Sequence, residues 1–201
     1  MLTVAVQAGG RSSRMGSDKA LLRLDGIPLI ERLLQRVSGL GEEILITTNR
    51  PQDYQYLGLR MASDPEPGAG ALHGLRTALE AARGQTVLVL ACDMPFVSRP
   101  LLEHMLQLAE AADLVVPRRG GEYEPLHAVY SKGCLPALEA ALQRGQRRMI
   151  SFFPSLNLRT VEQEEIDRLD PEGLSFFNVN TPEDLRKAER ILAQKHSQTS
   201  R

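Results

Sequence analysis

Short apolar runs recur along the chain, LTVAVQA from Leu2 to Ala8, EILITT from Glu43 to Thr48, TVLVLA from Thr86 to Ala91 and DLVVP from Asp113 to Pro117, and helical stretches lie between them. A run of this length, largely apolar and partly β-branched, suits a strand buried on both faces. Strands that alternate with amphipathic helices build a largely parallel sheet with helices on both sides. The helical stretches open at Pro28 (stripe Leu29, Ile30, Leu33, Leu34, Val37, Leu40), near Ala71 (Leu72, Leu75, Leu79), after Ser98 (Leu101, Leu102, Met105, Leu108), at Cys134 and after Thr181-Pro182. Shorter strands are expected at Arg60–Ser63, Pro125–Tyr130 (antiparallel), Leu156–Val161 and Phe176–Val179. The expectation is one three-layer α/β/α domain over residues 1–194, with 195–201 as a flexible tail.

In such a fold ligands sit beyond the carboxyl ends of the strands. The stretch VAVQAGGRSSRMGSDK, Val4 to Lys19, leaves the first strand there, with Gly9, Gly10 and Gly16 and the cations Arg11, Arg14 and Lys19. Glycines let backbone N–H groups come close to a phosphate chain, and cations neutralise it. The spacing matches neither the Walker loop nor G-x-G-x-x-G. Arg14, as a fork, and Lys19, as a point charge, are assigned to phosphates; Arg11 is either a third such contact or solvated. Three further polar residues end strands. Asp93 follows the central run, where a carboxylate facing a triphosphate holds Mg2+ or else caps the next turn. Asp64 is a second acid of the site or an Asp-Pro turn. Asn49 reads a base or ribose, or makes the turn with Pro51. Arg147 and Arg148 lie in a glycine-bounded break, either on the phosphate of a second substrate or in a solvated basic corner.

Composition removes several classes of function. A formal net charge of -1 gives no electrostatic case for a nucleic-acid polymer. The absence of tryptophan argues against a stacking platform for single strands. No apolar stretch approaches a membrane span. Cys92 and Cys134 have no metal or redox spacing, which suits a cytoplasmic setting. His73, His104, His127 and His196 share no spacing with an acid or thiol, so none reads as a general base.

The first loop resembles the nucleotidyltransferase signature, [LQ]-A-G-G-x-S-x-R-M-G-x-D-K. The likeness extends over nearly the full chain to the molybdenum cofactor guanylyltransferases. It is carried in order by that loop, Asn49, Asp64, Cys92-Asp93-Met94-Pro95, and Asn178-Val179-Asn180-Thr181-Pro182-Glu183-Asp184-Leu185. The resemblance implies a Rossmann-like, nucleotide-diphospho-sugar transferase-like fold. It implies Mg2+-dependent transfer of GMP from GTP to molybdopterin, with other cofactor-biosynthesis proteins and molybdoenzyme chaperones as partners. On it, Ala8, Gly9 and Gly10 approach the nucleotide, Lys19 binds phosphates, Asn49 and Asp64 help bind GTP, and Asp93 is the metal ligand. Arg14, Lys19 and Asp93 are then catalytic, and Arg147 or Arg148, Asn178 and Asn180 line the pterin side. Gln7 departs from the leucine usual before Ala-Gly-Gly. The rival readings are a cytidylyltransferase for the same pterin, a sugar-1-phosphate nucleotidyltransferase, which is usually longer, and an adaptor that binds nucleotide without chemistry.

Overall fold

The computed structural model describes residues 1–8, 19–66, 68 and 70–199. It opens with β1 (Leu2–Gln7), a small hairpin of β2 (Arg23–Leu24) and β3 (Ile27–Pro28), and α1 (Leu29–Val37). Next come β4 (Glu43–Thr47), β5 (Arg60–Ala62), α2 (Ala71–Ala81), β6 (Thr86–Ala91) and α3 (Arg99–Leu108). β7 (Leu114–Arg119), β8 (Glu122–Tyr123), β9 (His127–Ser131) and α4 (Leu135–Gln143) follow. The chain ends with β10 (Leu158–Val161), α5 (Gln163–Leu169) and α6 (Pro182–Thr199).

β1 lies between β4 and β6, all three parallel, with Val4 opposite Ile44 on one side and Leu88 on the other. The main sheet runs β10-β7-β9-β6-β1-β4-β5, with β8 paired to β7. Only β9 runs against its neighbours β6 and β7 in this row. The sheet is mixed and mostly parallel, and the antiparallel return expected near Pro125–Tyr130 is β9. Strand alternation sends side chains to two cores. Val4, Val6, Leu88 and Leu90 pack with α1, α3 and Ile166 of α5. Ala5, Leu45, Val87 and Val89 pack with α2, α4, Phe152 and Phe153. Each fully buried Leu, Val or Ile contributes roughly 1.5–3 kcal/mol through removal from water, so these two faces dominate the fold's stability. A third, smaller cluster seats α6 on the hairpin, through Leu24, Leu29, Val179, Ala188 and Leu192.

The Asp25-Gly26 turn closes the β2–β3 hairpin with φ of 52° and 75°. That is the mirror-image turn that matches strand twist, and it accounts for glycine at the second position. Pro28 pairs with Arg23 and immediately precedes α1 rather than lying inside it. Phe176–Val179 is not a strand. Its apolar residues serve packing, Phe176 in the first core and Val179 in the third, and its backbone joins no ladder. α5 has little apolar periodicity and is fixed by a capping box of Glu162 and Glu165. The final helix meets no glycine or proline after Pro182. It therefore continues to Thr199, so the presumed tail is helical to that point, with Lys195 Nζ paired to Glu172.

His127 sits under the sheet edge with no exposed surface, its ring 4.7 Å from that of Phe176 and neither ring nitrogen hydrogen-bonded. Burial lowers its pKa to about 3 from the ordinary 6.5. Below about pH 6.5 the unfolded chain takes up a proton there that the folded chain refuses. Stability from this site is thus complete above that pH and declines by up to about 1.4 kcal/mol per pH unit on acidification toward pH 3. His127→Phe keeps an aromatic ring against Phe176 and removes the titration. Urea unfolding at about pH 7.5 and about pH 5.5 should show the variant losing about 1.4 kcal/mol less than the parent between the two. Equal losses would show that His127 is not responsible.

Candidate active site

Three hydrogen bonds carry the parallel ladder past its last strand residues: Ala8 N–H to Thr47 O (2.9 Å), Thr48 N–H to Ala62 O (2.9 Å) and Cys92 N–H to Gln7 O (3.2 Å). The loops after β1, β4, β5 and β6 therefore leave the sheet at one edge. Ala8, Lys19, Asn49, Asp64 and Asp93 are brought there, as the sequence predicts. Gly9, Gly10, Arg11 and Arg14 lie outside the described residues.

Asp93 follows β6 by two residues. Its backbone carbonyl accepts the N–H of Val179 (3.0 Å), which pins the segment before α6 against the strand end. This bond brings Asn178 and Asn180 beside Asp93. Lys19 Nζ donates to Asn180 Oδ1 at 2.6 Å, a span of 161 residues in sequence. Burial raises the Asp93 pKa, and the nearby Lys19 charge pulls it back. The first and last motifs of the chain thus meet over one carboxylate.

On the β4–β5 side, Asn49 Oδ1 accepts the N–H of Asp64 (2.9 Å), and Asp64 Oδ1 accepts that of Glu66 (3.0 Å). Asp64 thus makes a turn contact, whereas the Asn49 side chain reaches across 15 residues and fixes the two loops relative to each other. Gly70, at φ 109° and ψ 178°, stands before α2 in a conformation that favours glycine. Gln7 points toward α2, beside Gly74, and its buried Nε2 has no hydrogen-bond partner.

On the β9 side a cavity of about 250 Å³ opens next to Asp93. Its polar lining is Asp93, Glu124, Asn178 and Asn180, and its apolar lining includes Met94, Pro125, Leu126 and Met149. Asn178 Oδ1 is buried without a hydrogen-bond partner. Arg147 and Arg148 are exposed and directly precede Met149, with the Arg148 carbonyl held by Ser151 (Oγ 2.7 Å). Glu124 is the residue that sequence reading missed. The available signal was topological: an antiparallel strand begins at the edge where parallel strands end, so the residues just before β9 share an edge with Asp93.

Among the described residues no group of three or more His, Cys, Asp or Glu side chains is placed to hold a metal by itself. A single half-buried carboxylate at the strand-end edge, Asp93, is the kind of group that would hold Mg2+, which takes few protein ligands and keeps waters and substrate oxygens. No helix among the described residues is long and apolar enough to cross a membrane.

Residues 4–161 match the model of the MobA-like NTP transferase domain. The chain belongs to this family. A "Probable molybdenum cofactor guanylyltransferase" of Pelotomaculum thermopropionicum is 40% identical over 199 residues, covering 99% of this chain and 96% of its own. A "Molybdenum cofactor guanylyltransferase" of Desulfosudis oleivorans is 33% identical over 193 residues, covering 95% and 96%. Among solved structures, molybdopterin-guanine dinucleotide biosynthesis protein A of Archaeoglobus fulgidus superposes with a TM-score of 0.81 at 30% identity, covering 96% of this chain and 99% of that one. The MobA-like NTP transferase fold thus accounts for both the mixed sheet and the placement of the loops at its carboxyl edge.

Proposed function

We propose that the protein transfers GMP from GTP to the terminal phosphate of molybdopterin, releasing pyrophosphate and leaving a guanine dinucleotide form of the cofactor. The family and the names of its relatives support this reading. The observation that carries it is the junction of Lys19, Asn180 and Asp93 at the end of β6, between the nucleotide loops and the cavity.

The attacking group is a phosphate monoester, with a second pKa of about 6, and is already a dianion at pH 7. Its oxygen forms a bond to the α-phosphorus of GTP as the bond from that phosphorus to the bridging oxygen breaks, and the electron pair leaves with pyrophosphate. No general base is required; two histidines do lie beside acids, His73 near Glu66 and His104 near Glu165, contrary to the sequence expectation. His127 is sealed in the core, and His104 Nε2 is 3.0 Å from Glu165. The chemical difficulty is bringing two anions together. Lys19 neutralises phosphate charge, Asn180 orients Lys19, and Asp93 would hold Mg2+. When bound, that ion supplies charge neutralisation between the phosphoryl groups. On this reading the enzyme works in the cytoplasm, alongside other cofactor-biosynthesis proteins and molybdoenzyme chaperones.

Pyrophosphate release with Mg2+ and molybdopterin, compared between GTP and CTP, tests the reading. Release with GTP at least about tenfold faster than with CTP is expected, a difference of about 1.4 kcal/mol in transition-state binding. A flat trace with GTP beside release with CTP would select the cytidylyl reaction. Silence with both would point to a binding protein.

A further inference from the structure

The cavity beside Asp93 has a polar lining of two carboxylates, Asp93 and Glu124, and two amides, Asn178 and Asn180. Glu124 contributes a carboxylate that is 23% exposed, and Asn178 contributes a buried carbonyl oxygen with no partner. The Glu124 carboxylate and the Asn178 carbonyl would repel a phosphate at their end of the cavity, whereas Asp93 and Asn180 lie beside the Lys19 charge. A heterocycle rich in N–H donors would be held at the Glu124 end. The cavity volume, about 250 Å³, falls below the ~300–1,000 Å³ typical of drug-sized ligands and suits a ring system rather than a whole dinucleotide. Met149, Leu126 and Met94 supply apolar surface for the faces of such a ring.

Sheet order decides which ring. β6 separates β9 from β1, β4 and β5. Glu124, just before β9, is therefore on the far side of Asp93 from Ala8, Asn49 and Asp64, where the nucleotide loops gather. The second substrate belongs on that side. We infer that Glu124 is a specificity-determining residue, accepting hydrogen bonds from the 2-amino group and N3–H of a 2-amino-4-oxopteridine, with Asn178 Oδ1 as a further acceptor. This inference rests on the proposed transfer to molybdopterin.

The surroundings of Glu124 prepare it for that task. Arg119 approaches its Oε1 at 3.5 Å, and the same guanidinium lies 5.2 Å from the centre of the Phe176 ring. One carboxylate oxygen is thus steadied, and a carboxylate offers about four lone-pair sites, enough for Arg119 and two ring donors together. Burial raises the Glu124 pKa while Arg119 opposes the rise. The backbone of Glu124 is fixed independently of its side chain, its N–H bonded to Pro117 O (3.0 Å) and its carbonyl to the His127 N–H (2.9 Å). A substitution at this side chain leaves the turn intact.

The test uses the full chain, with pterin and lumazine as ring probes. Lumazine carries an oxo group in place of the 2-amino group and would set an oxygen against the carboxylate. The parent should bind pterin at least about tenfold more tightly than lumazine, as expected when a site built for a donor meets an analogue lacking it. In Glu124→Gln that ratio should fall toward one. The KM for molybdopterin should rise at least about tenfold, while the KM for GTP and the Mg2+ midpoint stay unchanged. A ratio that survives the substitution, or a parent that binds neither ring, overturns the assignment. So does a variant that shifts the GTP or Mg2+ dependence instead, since Glu124 would then serve the nucleotide or metal. If the parent discriminates the rings yet transfers no GMP to molybdopterin, it is the proposed reaction that fails, and the ring site stands.

Discussion

Asp93→Asn is expected to reduce GMP transfer by about 10³-fold or more, some 4 kcal/mol of transition-state stabilisation, with no loss of thermal stability. The two halves of this expectation have one cause. The carboxylate sits at the end of a buried strand, where burial disfavours its charge, and the Lys19 charge and a bond from its own backbone N–H offset part of that cost. A group kept ionised against its surroundings contributes little to folding. An amide of the same shape keeps the backbone bond from Val179 to the Asp93 carbonyl and so keeps Asn178 and Asn180 in place. What the variant loses is the negative charge that would hold Mg2+ against the phosphates. Steady-state kinetics together with a melting curve check both parts. A variant that turns over at the parent rate removes the metal role, and one that unfolds shows that the residue is structural.

Lys19→Ala should weaken GTP binding roughly 10- to 100-fold, from loss of about 1.5–3 kcal/mol in a hydrogen bond to a charged group. Its effect on folding should stay within about 0.5 kcal/mol, because the Lys19–Asn180 contact is solvent-exposed. Calorimetric titration of GTP reads the first number and chemical denaturation the second. An unchanged GTP affinity would leave Lys19 as a tether for the α6 entry and nothing more. The same variant bears on the adaptor reading. If the protein only carried nucleotide, Lys19→Ala would lower affinity while Asp93→Asn would change nothing of consequence.

Much of this fold was legible because its signals are strong and local. β1, β4 and β6 are apolar runs with few competing interpretations, and Asn49 and Asp93 follow the last two by two residues, at the sheet edge. The helices α1, α2, α3 and α6 carry clear stripes or caps, Ser98 for instance accepting a bond from Leu101 N. Failures occurred where one property serves two purposes. Phe176 and Val179 are apolar like strand residues, but their role is to fill cores on either side of a pinned loop. α5 is short, acidic and capped by a glutamate, so its helical period is weak and its start unmarked by the usual Ser or Thr.

The site shows the same division. The placement of Asp93, Asn49, Asp64 and Lys19 at one edge follows from the sequence because loops after parallel strands must converge. The pairing of Lys19 with Asn180 was not legible, since nothing local relates residues 161 positions apart. Glu124 was hidden for a different reason. It lies between the Gly120-Gly121 turn and the strand expected from Pro125, and its importance arises from the sheet order that places the start of that strand beside β6.

The central claim is that the carboxylate of Asp93 holds a divalent cation where the phosphates of GTP meet the second substrate. A crystal structure of the protein with GTP and Mg2+ measures this directly. The account predicts an ion within about 2.0–2.1 Å of an Asp93 carboxylate oxygen and of phosphate oxygens of the nucleotide. A triphosphate bound away from Asp93, or an ion held by the phosphates with no contact to that side chain, would contradict it.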